Sequence, residues 1–391
     1  MQFCPHCMKP AQGSVCGHCG GSMDWHAPAT QLPLGTMLRG SNGAVYQLGA
    51  AKGQGGFGIT YAAMDMMKGQ RVAVKEYFPA RCASRGRDFR VYPVAGQQQI
   101  FMGGMRSFLE EAMMLSAVCA LESVVSVRDS FEANGTAYLV MEYVDGIPLH
   151  EVLQRNGPMK ASELMPKLPL LLADLETMHK ARVIHRDISP DNIILMPDGK
   201  LKLLDFGSAR SVQDGKSMTV MLKAGFSPVE QYQSKGQDAY TDVYALAATI
   251  YYCLTGVVPP SSVNRLDKDS LVGPNQHGAG LTPQQEQALL DGMIVQPKLR
   301  PQSIQAFAAK LFPDRFRMEG GVREEKIGGE SIGNSGGSGG TGGGDIKIFG
   351  VTIRKEDKLP IIIGIAVVGV VVTIGLIILS AIGFRAIMDA L

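Results

Sequence analysis

The rhythm of apolar and polar positions changes several times along the chain, and each change predicts an element. Two runs rich in aromatic and β-branched residues, "FGITYAAM" (57–64) and "RVAVKEYF" (71–78), read as strands joined by the turn-like "DMMKGQ". Further on, "YLVMEYVDG" (138–146) reads as a hydrophobic strand running into a turn. From Ile361 to Phe384 every residue is apolar or small and none is charged. At about 1.5 Å rise per residue this length suits a bilayer core of roughly 30 Å, and a soluble core helix would show a polar face, so a single transmembrane helix is expected over 360–384. Residues 317–345 contain "GGESIGNSGGSGGTGGG", which cannot bury a core and predicts a flexible linker reaching about 20 to 25 Å. The juxtamembrane segment 346–359 either lies on anionic headgroups through its lysines and arginines or is plain solvated linker. No internal repeat is seen.

Composition and charge narrow the partners. Of 391 residues 45% are hydrophobic and 19% charged, as in a folded protein, and a net charge of +2 gives no reason to expect nucleic acid. Lys347, Arg354, Lys355 and Lys358 precede the apolar span and only Arg385 follows it. The positive-inside rule therefore puts everything N-terminal in the cytoplasm, on a single-pass cell-membrane protein with a short tail at 385–391. The start, "MQFCPHC", lacks the charged and apolar regions of a secretion signal, and no external sensor domain is expected.

Two CxxC pairs, Cys4 with Cys7 and Cys16 with Cys19, stand close together near the N-terminus. Four thiolates complete one tetrahedral Zn2+ site, and a segment this short has no other way to build a core. Disulfides are disfavoured in a reducing cytoplasm, and a redox pair normally sits on a larger fold. His6 and His18 are then spectators. Residues 1–25 resemble the small zinc ribbons found at the ends of many bacterial proteins. Cys82, Cys119 and Cys253 have no metal spacing and read as small buried hydrophobes.

The segment "GQGGFG" (53–58) satisfies GxGxxG, a weak signal by itself. A dinucleotide fold would open a helix directly after it, whereas here two strands follow, so the glycines cap a hairpin whose amides could cover phosphates. "VAVK" ending at Lys75, "HRD....N" from His185 to Asn192 and "DFG" at Asp205 then occur in order. Together they resemble a bacterial eukaryotic-like serine/threonine protein kinase over about 34–316, and "KEYFP" is similar to a subgroup of those enzymes. The resemblance implies an α+β, bilobal kinase fold, preceded here by the ribbon and followed by the membrane helix.

It also implies roles. Gly53, Gly55, Gly56, Phe57, Gly58 and Lys75 would hold ATP phosphates, Met141 would be the gatekeeper, and the backbones of Glu142 and Val144 would hold adenine. Glu111 in "FLEEAMML" would pair with Lys75, with Glu110 as the alternative. Asn192 and Asp205 would hold Mg2+, and Asp187 would orient the acceptor hydroxyl. Glu230 would pair with Arg300, and Asp242 would brace the catalytic loop. The implied activity is transfer of the γ-phosphate of ATP to protein Ser or Thr, in signalling at the membrane, with self-association for autophosphorylation as a further possibility. The alternative is a weak or inactive ATP-binding scaffold, and a small-molecule kinase of related fold is a third reading.

One residue departs from the pattern: Ser189 stands where such loops carry lysine. Counting back seven residues from Glu230 puts Lys223 where the family carries a threonine, as though the two side chains were exchanged. Lys223 is then either the relocated catalytic cation or an ordinary loop lysine. Arg186 beside Asp187 is the arrangement in which related kinases bind a phosphorylated segment, for which Ser211, Ser217 and Thr219 are candidates, or simply solvated loop hydroxyls.

Overall fold

The structure is a computed structural model that describes residues 2–116, 121–204, 222–233, 236–314, 346–348 and 351–353. The expected linker over 317–345, the membrane span and the tail lie outside these residues, as do Cys119, Asp205, Ser211, Ser217 and Thr219. Among the described residues no helix is long and apolar enough to cross a membrane. The chain divides into two units, Met1–Val322 and Arg323–Leu391.

The upper lobe of the first unit is built on a sheet. Strands β1 (Met37–Arg39), β2 (Val45–Gln54), β3 (Gly58–Asp65) and β4 (Gln70–Tyr77) are followed by a small hairpin, β5 (Ala83–Arg85) and β6 (Val91–Pro93). Then come helix α1 (Gln98–Ser116) and strands β7 (Val127–Ala133) and β8 (Thr136–Glu142). The six-stranded sheet runs β1-β2-β3-β4-β8-β7, every pairing antiparallel. Alternation along β4 sorts its side chains: Val72, Val74 and Glu76 are fully buried, whereas Arg71, Ala73 and Lys75 share the other, half-open face. Helix α1 packs its Phe101, Met105, Phe108 and Ala112 stripe inward, and Tyr77 of β4 meets Phe101 at 5.3 Å and Phe108 at 5.7 Å between ring centroids.

Glu76 is a charge inside this lobe. Its carboxylate pairs with the guanidinium of Arg85 on β5 and accepts from the hydroxyls of Tyr138 (2.7 Å) and Tyr61 (3.1 Å). Neither charged side chain is more than 2% exposed. Arg85 also donates to the carbonyls of Thr30 (2.8 Å) and Phe89 (3.0 Å). A buried ion pair tolerates its desolvation only when its remaining hydrogen-bonding capacity is met, as it is here. The long stretch between Lys75 and α1 is therefore a hairpin pinned to the sheet rather than a loose spacer.

The N-terminal segment docks on the same lobe. The carbonyl of Pro5 accepts from the N–H of Ala50 (2.7 Å), and Met8 is buried with Ala62 and Met64 of β3, next to the partly buried Phe3 and Tyr143. The close approach requires glycine at 49, because a Cβ there would lie 2.4 Å from the Pro5 carbonyl oxygen and 2.6 Å from the Met8 sulfur.

The lower lobe is mostly helical: β9 (Ile147–Pro148), α2 (Leu149–Asn156), α3 (Ala161–Leu164), α4 (Leu168–Lys180), β10 (Ile193–Leu195), β11 (Leu201–Leu203), α5 (Val229–Tyr232), α6 (Ala239–Thr255), α7 (Pro283–Gly292) and α8 (Ile304–Leu311). Helix α6 is buried on nearly every side, which its almost uninterrupted apolar sequence allows. A capping box of Asp238 and Thr241 starts it and Gly256, with φ of 70°, ends it. In the second unit β12 (Ile346–Ile348) pairs antiparallel with β13 (Val351–Ile353), within the segment expected as juxtamembrane, for which no strand was anticipated.

Replacing Arg85 by Met leaves the Glu76 carboxylate buried against two phenols. Arg85→Met is expected to cost about 3 to 5 kcal/mol of unfolding free energy, and Glu76→Leu with Arg85→Met together less than the sum of the singles. Urea titrations of the three variants measure this, and a loss below about 1 kcal/mol for Arg85→Met would show that the pair does not hold the lobe.

Candidate active site

The glycine turn, Lys75 and the end of β8 are brought to one region by strand register. Gly53 lies in the end of β2 opposite Thr60, Gly55 donates its N–H to the Gly58 carbonyl (2.9 Å), and Gly58 opens β3 opposite Tyr77. A Cβ at Gly58 would fall 2.5 Å from the Glu76 carbonyl oxygen, so glycine there lets β3 run tight against the strand that carries Lys75. Gly56 and Phe57 complete the turn, and the Phe57 carbonyl accepts from the N–H of Phe78 (3.0 Å). Lys75 pairs in register with Thr60 on one side and Leu139 on the other. On α1, Glu111 is half-buried at the flank of the packed stripe while Glu110 is exposed. At about 100° per residue Glu110 falls opposite that stripe, so the helix turns Glu111 and not Glu110 toward the sheet side.

Met141 near the end of β8 is 5% exposed, and Val144 is partly buried against the main core. The N–H of Glu142 is taken by the Ser126 carbonyl (3.0 Å), so whatever its backbone offers a base must come from its carbonyl. Its side chain turns away to Lys202 on β11 (2.6 Å) and the N–H of Ser126 (2.8 Å).

Below, one buried carboxylate organises the catalytic loop. Asp242, on α6, accepts from the N–H of His185 (2.7 Å), the N–H of Arg186 (2.7 Å) and the ring of His179 (2.8 Å). This holds Arg186 at φ 66°, a left-handed conformation uncommon outside glycine. The fully buried His185 ring accepts from the Asp187 N–H through Nδ1 (3.3 Å) and so donates from Nε2 to the Leu204 carbonyl (2.9 Å). Asn192 donates from Nδ2 to the Asp187 carbonyl and to Asp187 Oδ2, both at 2.8 Å, so its Oδ1 is the atom it could offer a metal. Asp205 lies just past Leu204, outside the described residues.

Lys223 lies beside this loop. Its Nζ donates to Ser189 Oγ (2.7 Å) and stands 3.1 Å from Asp187 Oδ1 and 3.6 Å from Asp191 Oδ2. Two residues of α5 are locked nearby: Glu230 pairs with Arg300 (2.8 Å, both side chains at most 4% exposed), and Gln231 donates to the Arg186 carbonyl (2.6 Å).

Residues 46–276 match the protein kinase domain family. The chain belongs to the protein kinase family. Its kinase domain is 31% identical over 269 residues to serine/threonine-protein kinase B of Synechocystis, which covers 66% of this chain and 42% of the relative. It is 30% identical over 294 residues to the serine/threonine-protein kinase PknB of Mycobacterium leprae, covering 72% of this chain and 44% of the relative. The chain thus spans less than half the length of these curated relatives. A solved structure titled "PpkA-294 apo form" is similar at a TM-score of 0.63 and 33% identity, over 72% of this chain and 99% of that one. The bilobal kinase fold expected from the sequence is the observed architecture.

Outside the kinase domain, the four N-terminal cysteines converge, with all four sulfurs within 4.8 Å of one another. Cys4 to Cys19 is 3.6 Å and Cys7 to Cys16 is 3.8 Å between sulfurs, too long for disulfides. Zn–S bonds of about 2.3 Å imply tetrahedral edges of about 3.8 Å, so the donor set and its spacing fit zinc. The N–H of His18 donates to the Cys16 sulfur (3.4 Å) and draws that thiol down to about 7, whereas burial pushes Cys7 up to about 12. Cys82 and Cys253 are buried in the kinase domain. Three contacts of the kinase domain were not anticipated from sequence: the Glu142–Lys202 pair, the Glu76–Arg85 pair and the place of Asp191 beside Lys223. For the first two the available signal was a charged residue within a strand, Glu76 in β4 and Lys202 between two leucines in β11.

Burial alone would raise the Asp242 carboxyl, but the His179 and His185 partners and the Arg186 N–H hold it below the usual carboxylate value. A depressed folded-state value means stability that is fully present above about pH 4 and lost as pH falls through the lower value. The wild-type kinase is expected to lose stability as pH falls below about 4, and Asp242→Asn to flatten that slope while being less stable at pH 7. Denaturant midpoints measured against pH for both proteins check this, and parallel curves would exclude Asp242 as the group.

Proposed function

We propose that this chain transfers the γ-phosphate of ATP to Ser or Thr hydroxyls of proteins, at the cytoplasmic face of the cell membrane. What carries the reading is the Asp187–Asn192 unit, held by Asp242 and set beside the chain that enters the magnesium-binding motif. Lys75 and the glycine turn of residues 53–58 would hold the phosphates, with Glu111 steadying Lys75, while Glu142 and Val144 would hold the base next to Met141. Asn192 and Asp205 would hold Mg2+, which when bound neutralises charge on the phosphates. Asp187, fixed by Asn192 at one oxygen, would orient the acceptor hydroxyl and take its proton. The names of the bacterial relatives support protein Ser/Thr acceptors. The four cysteines would hold structural zinc, and residues 360–384 would anchor the chain by its C-terminal end, with the juxtamembrane lysines and arginines on the cytoplasmic side. Self-association on the membrane would bring two copies together for autophosphorylation.

The full-length chain, incubated with labelled Mg-ATP and a generic protein substrate, is expected to incorporate phosphate on Ser or Thr. Asp187→Asn should lower incorporation by about a hundredfold or more. Equal incorporation by wild type and Asp187→Asn, in protein shown to bind ATP, would favour a nucleotide-binding scaffold instead. For the attachments, one zinc per chain is expected, lost in Cys4→Ser with Cys7→Ser. Carbonate-resistant membrane association should disappear when the chain is cut after residue 359, and retention of either property in its variant would count against that assignment.

A further inference from the structure

The cation that stands next to Asp187 does not come from the catalytic loop. Ser189, two residues after Asp187, is fully buried and its Oγ accepts from Lys223 Nζ at 2.7 Å. That ammonium is gathered by one hydroxyl and two carboxylates, those of Asp187 (3.1 Å) and Asp191 (3.6 Å). It keeps 31% side-chain exposure and is therefore open to a ligand. An idle loop lysine would keep its rotamer freedom, worth up to about 2 kcal/mol, and stay in water.

The backbone under Lys223 is equally fixed. Its N–H donates to Ser227 Oγ (3.1 Å), and its carbonyl accepts from the N–H groups of Phe226 (3.0 Å) and Ser227 (2.9 Å). The Ser227 carbonyl accepts from the buried Ser262 hydroxyl (2.8 Å), and Phe226 meets Tyr252 of α6 edge to face at 5.8 Å. The turn of residues 223–227 is thus braced by the lower lobe at residues that are not part of the catalytic loop.

We propose that Lys223 is a catalytic residue. It supplies, from the turn that precedes α5, the positive charge that meets the transferring phosphoryl group, and Ser189 fixes where its ammonium sits. This rests on the kinase reading above. In the step, the acceptor oxygen bonds to the γ-phosphorus as the bond from phosphorus to the bridging β,γ-oxygen breaks. The electron pair leaves with ADP, the hydroxyl proton passes to Asp187, and Lys223 stays protonated while its contacts shift from the carboxylates to the phosphoryl oxygens.

The test compares wild type, Lys223→Thr and the exchange Ser189→Lys with Lys223→Thr, all as full chains, with thermal unfolding confirming that each is folded. Lys223→Thr is expected to lower kcat by about a hundred- to a thousandfold. It should also lower the ratio of ATP to ADP affinity by about tenfold while ADP affinity stays the same, since only the γ-phosphate is lost as a partner. The exchange variant is expected to recover at least about tenfold of the lost rate. Unchanged kcat in Lys223→Thr, or an unchanged ATP-to-ADP ratio, would overturn the proposal. The binding arm needs no turnover, so a wild-type chain that transfers no phosphate defeats the kinase reading and the catalytic role with it, while an unchanged affinity ratio in a chain that does transfer phosphate defeats the Lys223 proposal alone.

Discussion

The carboxylate of Asp242 is the constraint on which the catalytic geometry depends. It lies on α6, the most completely buried helix of the lower lobe, and it accepts the N–H groups of two consecutive residues, His185 and Arg186. Two successive amides can converge on one carboxylate only if the backbone turns sharply, which is why Arg186 takes its left-handed conformation. That turn aims Asp187 away from the core and sets the His185 ring between the Asp187 N–H and the Leu204 carbonyl. The position of the loop and of the strand end before Asp205 are therefore set by one interaction. The same turn exposes the Arg186 carbonyl to Gln231, so α5 and its Glu230–Arg300 pair join the same hydrogen-bonded assembly.

The two lobes meet through a comparable strap. Ser123 gives its N–H to Asp174 of α4 (2.6 Å) and its carbonyl to the N–H of Leu203 on β11 (2.7 Å), while Val125 donates to the Leu203 carbonyl (2.9 Å). The Glu142–Lys202 pair adds a charged tie between the end of β8 and β11. The upper lobe cannot slide on these contacts without breaking backbone hydrogen bonds, so its freedom is confined to rotation about them. The N-terminal segment adds to the rigidity of the other side: Pro5 and Met8 lie on β2 and β3 close to Tyr143, which follows directly after Glu142. The four-cysteine segment is thus tied directly to the strands that flank the glycine turn.

Local pattern was legible wherever residues close in sequence make the feature. The strands around "DMMKGQ", the spacing of Asp187 and Asn192, and the paired cysteines all fall in that class, because short spans fix both identity and distance. The adjacency of Lys223 and Ser189 was reachable by counting along the chain from Glu230 without a gap. What could not be read were tertiary pairs that belong to no recognised motif, unlike Glu230 with Arg300. Glu76 and Arg85 sit on different strands of different sheets, and nothing in "KEYFPARCASR" says that the glutamate faces inward rather than the lysine beside it. Alternation allows either face, and the hydroxyls of Tyr61 and Tyr138 on one side decide it, while α1 packs on Tyr77 of the opposite, Lys75 face. Likewise Glu142 looked like a hinge residue known for its backbone, while its side chain is committed to Lys202.

Exchanging the places of a lysine and a hydroxyl conserves the contact between them but changes what holds the charge. A lysine at 189 would hang from the loop that Asp242 fixes, and would be as rigid as that loop. A lysine at 223 hangs from a turn fixed by Ser227, Ser262 and Tyr252. Its ammonium reaches Asp187 only across the space between the two segments. The hydroxyl of Ser189, being buried, cannot follow a displaced lysine, so a shift of the turn by even an ångström or so would break a 2.7 Å contact that the catalytic loop itself would never notice. The charge beside Asp187 is in this way conditional on the lower-lobe surface around residues 223–227, whereas the position of Asp187 is not.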